Sequence, residues 1–319
     1  MRMSTSSISN SQFSIQAHGL TKWYGKEMIV AVDNVSFDVN PGEIFGLIGA
    51  DGAGKTSIFR MLTTLLLPDG GNATVNGFDV VKDYKQIRNC VGYMPGKFSL
   101  YQDLSVEENL NFFATVFNTT IEENYHLVKD IYIQIEPFKT RRAGKLSGGM
   151  KQKLALCCAL IHKPAVLFLD EPTTGVDPVS RKEFWEMLKR LKQQGITILV
   201  ATPYMDEANQ CDRIALIQSG KILSINSPKS ISDSFAHPIL KVKANKMSLV
   251  IRSLSLLDGV VSSNGFGEFA HVVVEKADEE MVSRITNHLT QLGLQEIEVK
   301  PSQPTIEDVF ISLTQKQTA

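Results

Sequence analysis

The sequence predicts an α/β fold built on a mostly parallel sheet, followed by a smaller α+β domain. Three observations carry this. Continuous apolar runs, "EIFGLIG" (43–49), "AVLFLD" (165–170) and "ITILVAT" (196–202), have the length of strands buried on both faces. Segments of helical period alternate with them, the pattern of a parallel sheet covered on both sides. From about residue 233 the order becomes strand, helix, strand, strand, helix, strand, which is the split-βαβ or ferredoxin-like arrangement.

Taken in order, residues 1–12 ("MRMSTSSISNSQ") are polar and serine-rich, and a disordered tail is expected there. "FSIQAHGL" (13–20) and "VDNVSFDV" (32–39) alternate apolar and polar residues, as antiparallel strands do. "KTSIFRMLTTLL" (55–66) reads as a helix and "GNATVNGFDV" (71–80) as a hairpin. Residues 105–140 are mostly helical in pattern, a helical subdomain, and "GMKQKLALCCALI" (149–161) and "RKEFWEMLKRLKQQG" (181–195) are further helices. The first domain is therefore expected over 13–232 and an accessory domain over 233–319. In the second domain, "ILKVKA" (239–244), "GVVSS" (259–263), "FAHVVVE" (269–275) and "QEIEVK" (295–300) are the expected strands. "NGFGE" (264–268) is the expected turn between the middle two, and "TIEDVFISLTQ" (305–315) closes the chain as a helix.

Composition narrows the function. Of 319 residues, 43% are hydrophobic and 21% charged, as in an ordinary globular protein. A net charge of −1 offers no basic field for nucleic acid. No apolar run approaches the ~20 residues of a membrane helix, so a membrane role would need a separate partner. Cys90, Cys157, Cys158 and Cys211 lack metal spacing, which points to a reduced compartment, and the 157–158 pair reads as helix packing. His162 and His271 read as structural histidines.

"GADGAGKT" (49–56) matches G-x-x-x-x-G-K-[ST] at every fixed position, between an expected strand and an expected helix. This is the phosphate loop of a P-loop NTPase-type sheet. Its backbone N–H groups face anionic oxygens, and Gly52 and Gly54 let the backbone approach closely. Lys55 is expected on the β- and γ-phosphates and Thr56 on Mg²⁺. At the end of "AVLFLDE", Asp170 is expected to hold Mg²⁺ and Glu171 to polarise the attacking water as general base. "LSGGMKQK" (146–153) supplies a second anion-binding helix start, with Ser147 as N-cap and exposed N–H groups at Gly148 and Gly149.

Together and in this order, these pieces resemble the ATP-binding cassette (ABC) ATPases over about residues 14–230. The resemblance implies binding of ATP and Mg²⁺ and hydrolysis of ATP. It assigns Gly49, Ala50, Asp51, Gly52, Ala53, Gly54, Lys55, Thr56 and Ser57 to the phosphates. It places adenine on Tyr24, or on Trp23 if the register shifts by one. It also implies a homodimer or heterodimer of cassettes, in which Ser147, Gly148, Gly149 and Met150 cap the ATP of the opposite subunit and Asp177 lies near the interface. The tail ending in "PTIEDVFISLT", with Arg60 and "PYMDEA", resembles the branch paired with ABC-2-type export permeases of the multidrug or daunorubicin kind. That implies a cytoplasmic protein, peripheral on the inner membrane.

Two positions depart from the family pattern. Gly96 stands where a glutamine usually contacts Mg²⁺ and the attacking water. Pro203 stands where a histidine usually contacts the γ-phosphate, with Thr202 and Tyr204 as the neighbouring hydroxyls. These departures motivate an alternative, a degenerate nucleotide-binding subunit paired with a more complete ATPase. Equal hydrolysis by the native chain and Glu171→Gln would favour that alternative. A cassette acting on ribosomes or DNA would need steeply salt-dependent nucleic-acid binding.

Overall fold

The fold was described from a computed structural model, which describes residues 12–97 and 99–318. Residues 1–11 of the expected tail lie outside the described residues. The chain divides into two compact units between Pro228 and Lys229, where the sequence suggested 232/233.

The first unit opens with β1 (Ile15–Tyr24) and β2 (Ile29–Val39), then β3 (Ile44–Ile48), α1 (Lys55–Leu62), β4 (Gly70–Val75) and β5 (Phe78–Asp79). Next come α2 (Tyr84–Cys90), β6 (Val91–Met94), α3 (Val106–Val116), α4 (Ile121–Tyr132), α5 (Gly148–Leu160) and β7 (Val166–Asp170). The unit closes with α6 (Pro178–Gln193), β8 (Thr197–Thr202), a 3-10 turn (Met205–Gln210), β9 (Arg213–Gln218) and β10 (Lys221–Asn226). Strands β1, β2, β4 and β5 form the expected antiparallel sheet, in the order β2-β1-β4-β5.

The central sheet runs β10-β9-β3-β8-β7-β6, and β9, β3, β8, β7 and β6 are mutually parallel. Strands β3, β7 and β8 are buried at every residue, which is why they read as unbroken apolar runs. Helix α1 packs onto them through Phe59, whose ring meets Phe168 edge-on at 5.7 Å. Phe59, Phe168, Leu47, Leu199 and the β1–β2 residues Leu20 and Val32 share one core, so the antiparallel sheet and the parallel sheet are a single packed body.

The helical subdomain starts its helices as the sequence dictates. Ser105 and Glu108 close a capping box on α3, and Thr120 and Glu123 another on α4. Helix α1 stops at Leu62, short of the expected Leu66, because Thr64 turns into the left-handed region at φ 63°.

Helix α7 (Pro228–Asp233) starts at the division, and the second unit continues with β11 (Ile239–Lys243), α8 (Met247–Leu254), β12 (Val260–Phe266), β13 (Phe269–Val274), α9 (Glu279–Gln291), β14 (Glu298–Ser302) and α10 (Ile306–Thr318). Its sheet order, β12-β13-β11-β14, and its antiparallel pairing are those of the split-βαβ arrangement. Two local expectations were corrected. Strand β12 runs through Asn264 and Gly265, pairing them with His271 and Ala270, so the turn is only Gly267-Glu268. Phe266 stacks on His271 at 4.0 Å, which holds the longer strand in register. Strand β14 starts at Glu298 rather than 295, because Glu296 adopts φ 55° and breaks the extended run.

Candidate functional site

Strand order makes the site. In parallel strands the C-terminal ends lie together, and ligands of such sheets bind outside those ends. Here β3, β8, β7 and β6 are consecutive neighbours. Their tips bring together the phosphate loop, Pro203, the Asp170-Glu171 pair and Gly96, in that order across the edge. Gly49 N–H donates to Thr202 O at 3.3 Å, and Glu171 N–H to Ala201 O at 2.8 Å, so loop and carboxylates are both tied to β8.

Gly54 has φ 104°, and an added Cβ there would collide with the carbonyl of Ala31. Only glycine fits this start of α1. Lys55 is 3% exposed. Its Nζ donates to Gly49 O (2.8 Å) and Ala50 O (2.9 Å) and lies 3.7 Å from Glu171 Oε1. Burial pushes the Lys55 ammonium pKa down, while Glu171, Asp51 and Asp170 oppose that shift. Thr56 donates to Asp170 Oδ1 at 3.2 Å. Tyr24, the last residue of β1, reaches the loop with its hydroxyl 3.0 Å from Ser57 Oγ, while the backbone N–H of Trp23 donates to Asp69 Oδ2 at 3.0 Å. A cavity of about 140 Å³ lies over the loop, lined by Gly52, Gly54, Lys55, Thr56, Glu171 and Ala31 among others.

Asp170 is 3% exposed at the end of β7. Burial raises its carboxyl pKa, the Thr56 hydrogen bond lowers it, and neighbouring Glu171 raises it further. Because the folded pKa lies above the unfolded one, this group's contribution to stability is present below the unfolded value and lost as pH rises through the folded value. At neutral pH the buried charge is therefore a net cost. Asp170→Asn is expected to raise the melting temperature of the nucleotide-free chain at about pH 7, with the difference shrinking toward about pH 4, the ordinary Asp value. Scanning calorimetry across that range checks this, and a variant less stable than the native chain at neutral pH contradicts it.

Glu171 adopts φ 50°, a left-handed conformation rare for a side chain of this kind. Gly96 lies against the same pair: an added Cβ would sit 3.1 Å from Asp170 O and 3.6 Å from Glu171 Cβ. The missing side chain is thus missing from beside the carboxylates. Pro203 follows β8, between the loop and β7. Thr202 is fully buried, and its hydroxyl donates to Glu207 Oε2 at 2.6 Å and accepts from Tyr204 N–H at 3.1 Å. That commitment removes Thr202 as a substitute for a γ-phosphate contact. Pro203→His is expected to leave nucleotide affinity within about twofold and to alter turnover, since one positioned donor at developing charge is worth roughly two to three decades. Turnover and affinity both unchanged would mean the position has no sensor role.

Ser147 caps α5, accepting from Met150 N–H at 3.3 Å, and Gly148 and Gly149 begin the helix. Gly149 is held close to Ser180, whose Oγ would be 3.0 Å from an added Cβ. Asp177 caps α6, accepting from Val179 N–H (3.1 Å) and Ser180 N–H (3.0 Å), and those bonds lower its carboxyl pKa. The Ser147–Met150 segment and Asp177 thus stand at the neighbouring starts of α5 and α6, where Gly149 meets Ser180.

Sequence reasoning missed Glu207. It is 2% exposed, and no local pattern marks a carboxylate in "MDEA" as buried. His162 and His271 have structural surroundings: His162 stacks on Phe117 at 3.7 Å, and His271 bonds to Asp308 at 2.9 Å. The cysteines are free thiols, and burial raises the pKa of each. Among the described residues no helix is long and apolar enough to cross a membrane.

Comparison with known proteins shows the family and the fold. The ABC transporter family profile matches residues 32–174. A probable multidrug ABC transporter ATP-binding protein of Escherichia coli (strain K12), YbhF, is 39% identical over 307 residues, covering 94% of this chain and 52% of that protein. This chain therefore spans about half the length of that relative. The doxorubicin resistance ATP-binding protein DrrA of Mycobacterium tuberculosis (strain ATCC 25618 / H37Rv) is 30% identical over 324 residues, covering 97% of this chain and 96% of that one. Among solved structures, an ATP-binding subunit of an ABC transporter aligns with a TM-score of 0.63 at 25% identity, over 69% of this chain and 92% of that one.

Proposed function

This chain belongs to the ABC transporter ATP-binding family, and from that premise we propose that it hydrolyses ATP to energise export through separate ABC-2-type permease subunits. The observation that carries the reading is the gathering of Lys55, Thr56, Asp170 and Glu171 at the tips of β3 and β7. Loop N–H groups and Lys55 bind and orient the phosphates. Glu171, 3.7 Å from Lys55, accepts the proton of the attacking water. Tyr24 supports the adenine ring.

The donors fit Mg²⁺. Thr56 Oγ1 and Asp170 Oδ1 are hard oxygens 3.2 Å apart, and a buried carboxylate with a raised pKa is one a cation would relieve. Among the described residues no cluster of three or more His, Cys, Asp or Glu competes as a metal site. Mg²⁺ is commonly held by one or two protein oxygens together with substrate phosphates and water. Bound there, it would supply neutralisation of phosphate charge.

The site is half a site. A cavity of about 140 Å³ over the loop is small beside the ~300 Å³ or more of ordinary ligand pockets. That supports closure by a second cassette, whose Ser147–Met150 segment and Asp177 would meet the nucleotide from the far side. Beside β6, a cavity of about 460 Å³ lined by Tyr93, Met94, Pro95, Phe113, Phe117 and His162 continues from the Gly96 loop, which supports this face as the one a permease engages. The drug-resistance names of the relatives support the export direction, and the chain would then work at the cytoplasmic face of the inner membrane.

Capture from detergent-solubilised membranes, with hydrolysis measured in the captured complex, tests both parts. The expected result is a membrane-embedded partner and an activity that Glu171→Gln removes. Capture without any membrane protein would overturn the export reading, and activity surviving in Glu171→Gln would overturn the catalytic assignment.

A further inference from the structure

We propose that Glu207 is a positioning residue for hydrolysis: buried between strand tips, it locks the segment that carries Glu171 to the tip of β8. The proposal rests on the reading that Glu171 acts on the attacking water.

Glu207 lies four positions beyond Pro203, in the Met205–Gln210 turn, and is 2% exposed. Both of its oxygens are used. Oε1 accepts from Thr173 Oγ1 at 2.7 Å and Oε2 from Thr202 Oγ1 at 2.6 Å. Arg181, from α6, sets its Nε 3.7 Å from Oε1 and its guanidinium 4.3 Å from the Tyr204 ring centre. A buried carboxylate with a short hydroxyl bond on each oxygen and a cation facing it at 3.7 Å is held from both sides, so it can act as a rigid fixture.

What it fixes is specific. Thr173 is separated from Glu171 only by Pro172, whose φ is locked by its ring. An anchor at Thr173 is therefore an anchor on Glu171. Thr202 is the residue before Pro203, so the other end of the clamp holds the β8 tip. Glu171 needs such an anchor. Its left-handed φ of 50° is unfavourable for a residue with a Cβ and persists only where surrounding structure over-determines it. The Glu171 N–H bond to Ala201 O at 2.8 Å is one tie between the two strand tips, and Glu207 is a second, made of side chains. Gly96, which faces the Asp170-Glu171 pair, offers no side chain to restrain it. The clamp supplies restraint from behind.

A buried polar network that merely stabilises the fold would behave differently from a positioning residue. Glu207→Ala, Glu207→Gln and Thr173→Val are compared with the native chain for ATP Kd, kcat and amide hydrogen exchange over 171–176, and Glu207→Ala is also made in a Glu171→Gln background. Glu207→Ala is expected to lower kcat about 10- to 100-fold, the scale of a misplacement near 1 Å, with ATP Kd within about twofold. Glu207→Gln keeps an acceptor and should recover much of that loss, and Thr173→Val should fall between the two. Exchange over 171–176 should quicken in Glu207→Ala. In the Glu171→Gln background, Glu207→Ala should cost nothing further, because the group it positions is gone.

An unchanged kcat in Glu207→Ala beside an inactive Glu171→Gln would overturn this proposal alone. So would a parallel loss of Kd and kcat, or a fully additive loss in the double variant. A Glu171→Gln chain as active as the native one would overturn the reading of Glu171 and this proposal with it. If Glu207→Ala does not fold, Thr173→Val decides by the same criteria.

Discussion

Glu171→Gln is expected to lower steady-state ATP hydrolysis by roughly two to four decades, the range of a general base, while ATP binding stays within about twofold. The argument is geometric. Glu171 sits one residue past β7, is held in a left-handed conformation, and lies 3.7 Å from Lys55, the residue proposed to orient the phosphates. Glutamine is nearly isosteric and keeps the backbone bond to Ala201, but it cannot take a proton at neutral pH. Loss of turnover with affinity preserved separates proton transfer from phosphate binding. Single-turnover kinetics beside equilibrium nucleotide titration checks it. Full activity in the variant would move the base elsewhere.

Lys55→Ala is expected to act on the other quantity. Its ammonium, 3% exposed and folded back onto the Gly49 and Ala50 carbonyls, is the cation proposed to meet the phosphates. A hydrogen bond to a charged group is worth about 1.5–3 kcal/mol, so ATP affinity should fall roughly 10- to 150-fold. Lys55→Arg should not restore it. The guanidinium is planar and broader, and a site that leaves lysine almost no exposure has no room to turn it. Fluorescent-nucleotide titration measures both variants. Native affinity in Lys55→Ala would show that backbone N–H groups alone hold the phosphates.

Much of the site is legible in the sequence because its parts are contiguous. The loop from Gly49 to Thr56 encodes its own conformation, and Ser147 announces itself as an N-cap, as observed, whereas Asp177, expected only near an interface, proves to cap α6 as well. Glu207 is legible nowhere. Its burial is created by Thr173, 34 positions upstream, and by Arg181 from another helix. In the second unit, "NGFGE" looked like a turn by local rules, yet Phe266 stacking on His271 extended the strand through Asn264 and Gly265. There a cross-strand contact outweighed a local turn preference.

The sequence alone determined what stands at each strand tip: a glycine-rich loop with Lys55 after β3, two carboxylates at the end of β7, a proline after β8, a glycine shortly after β6. These are properties of short segments, set by allowed φ, by missing side chains and by caps. Only the tertiary structure decided that β8 lies between β3 and β7, so that Pro203 stands between phosphate loop and carboxylates. Apolar runs of equal length and similar composition pair in parallel about equally well, so their order is set by long-range packing of helices on both faces. The same packing buries Glu207 where it can grip both neighbouring strand tips.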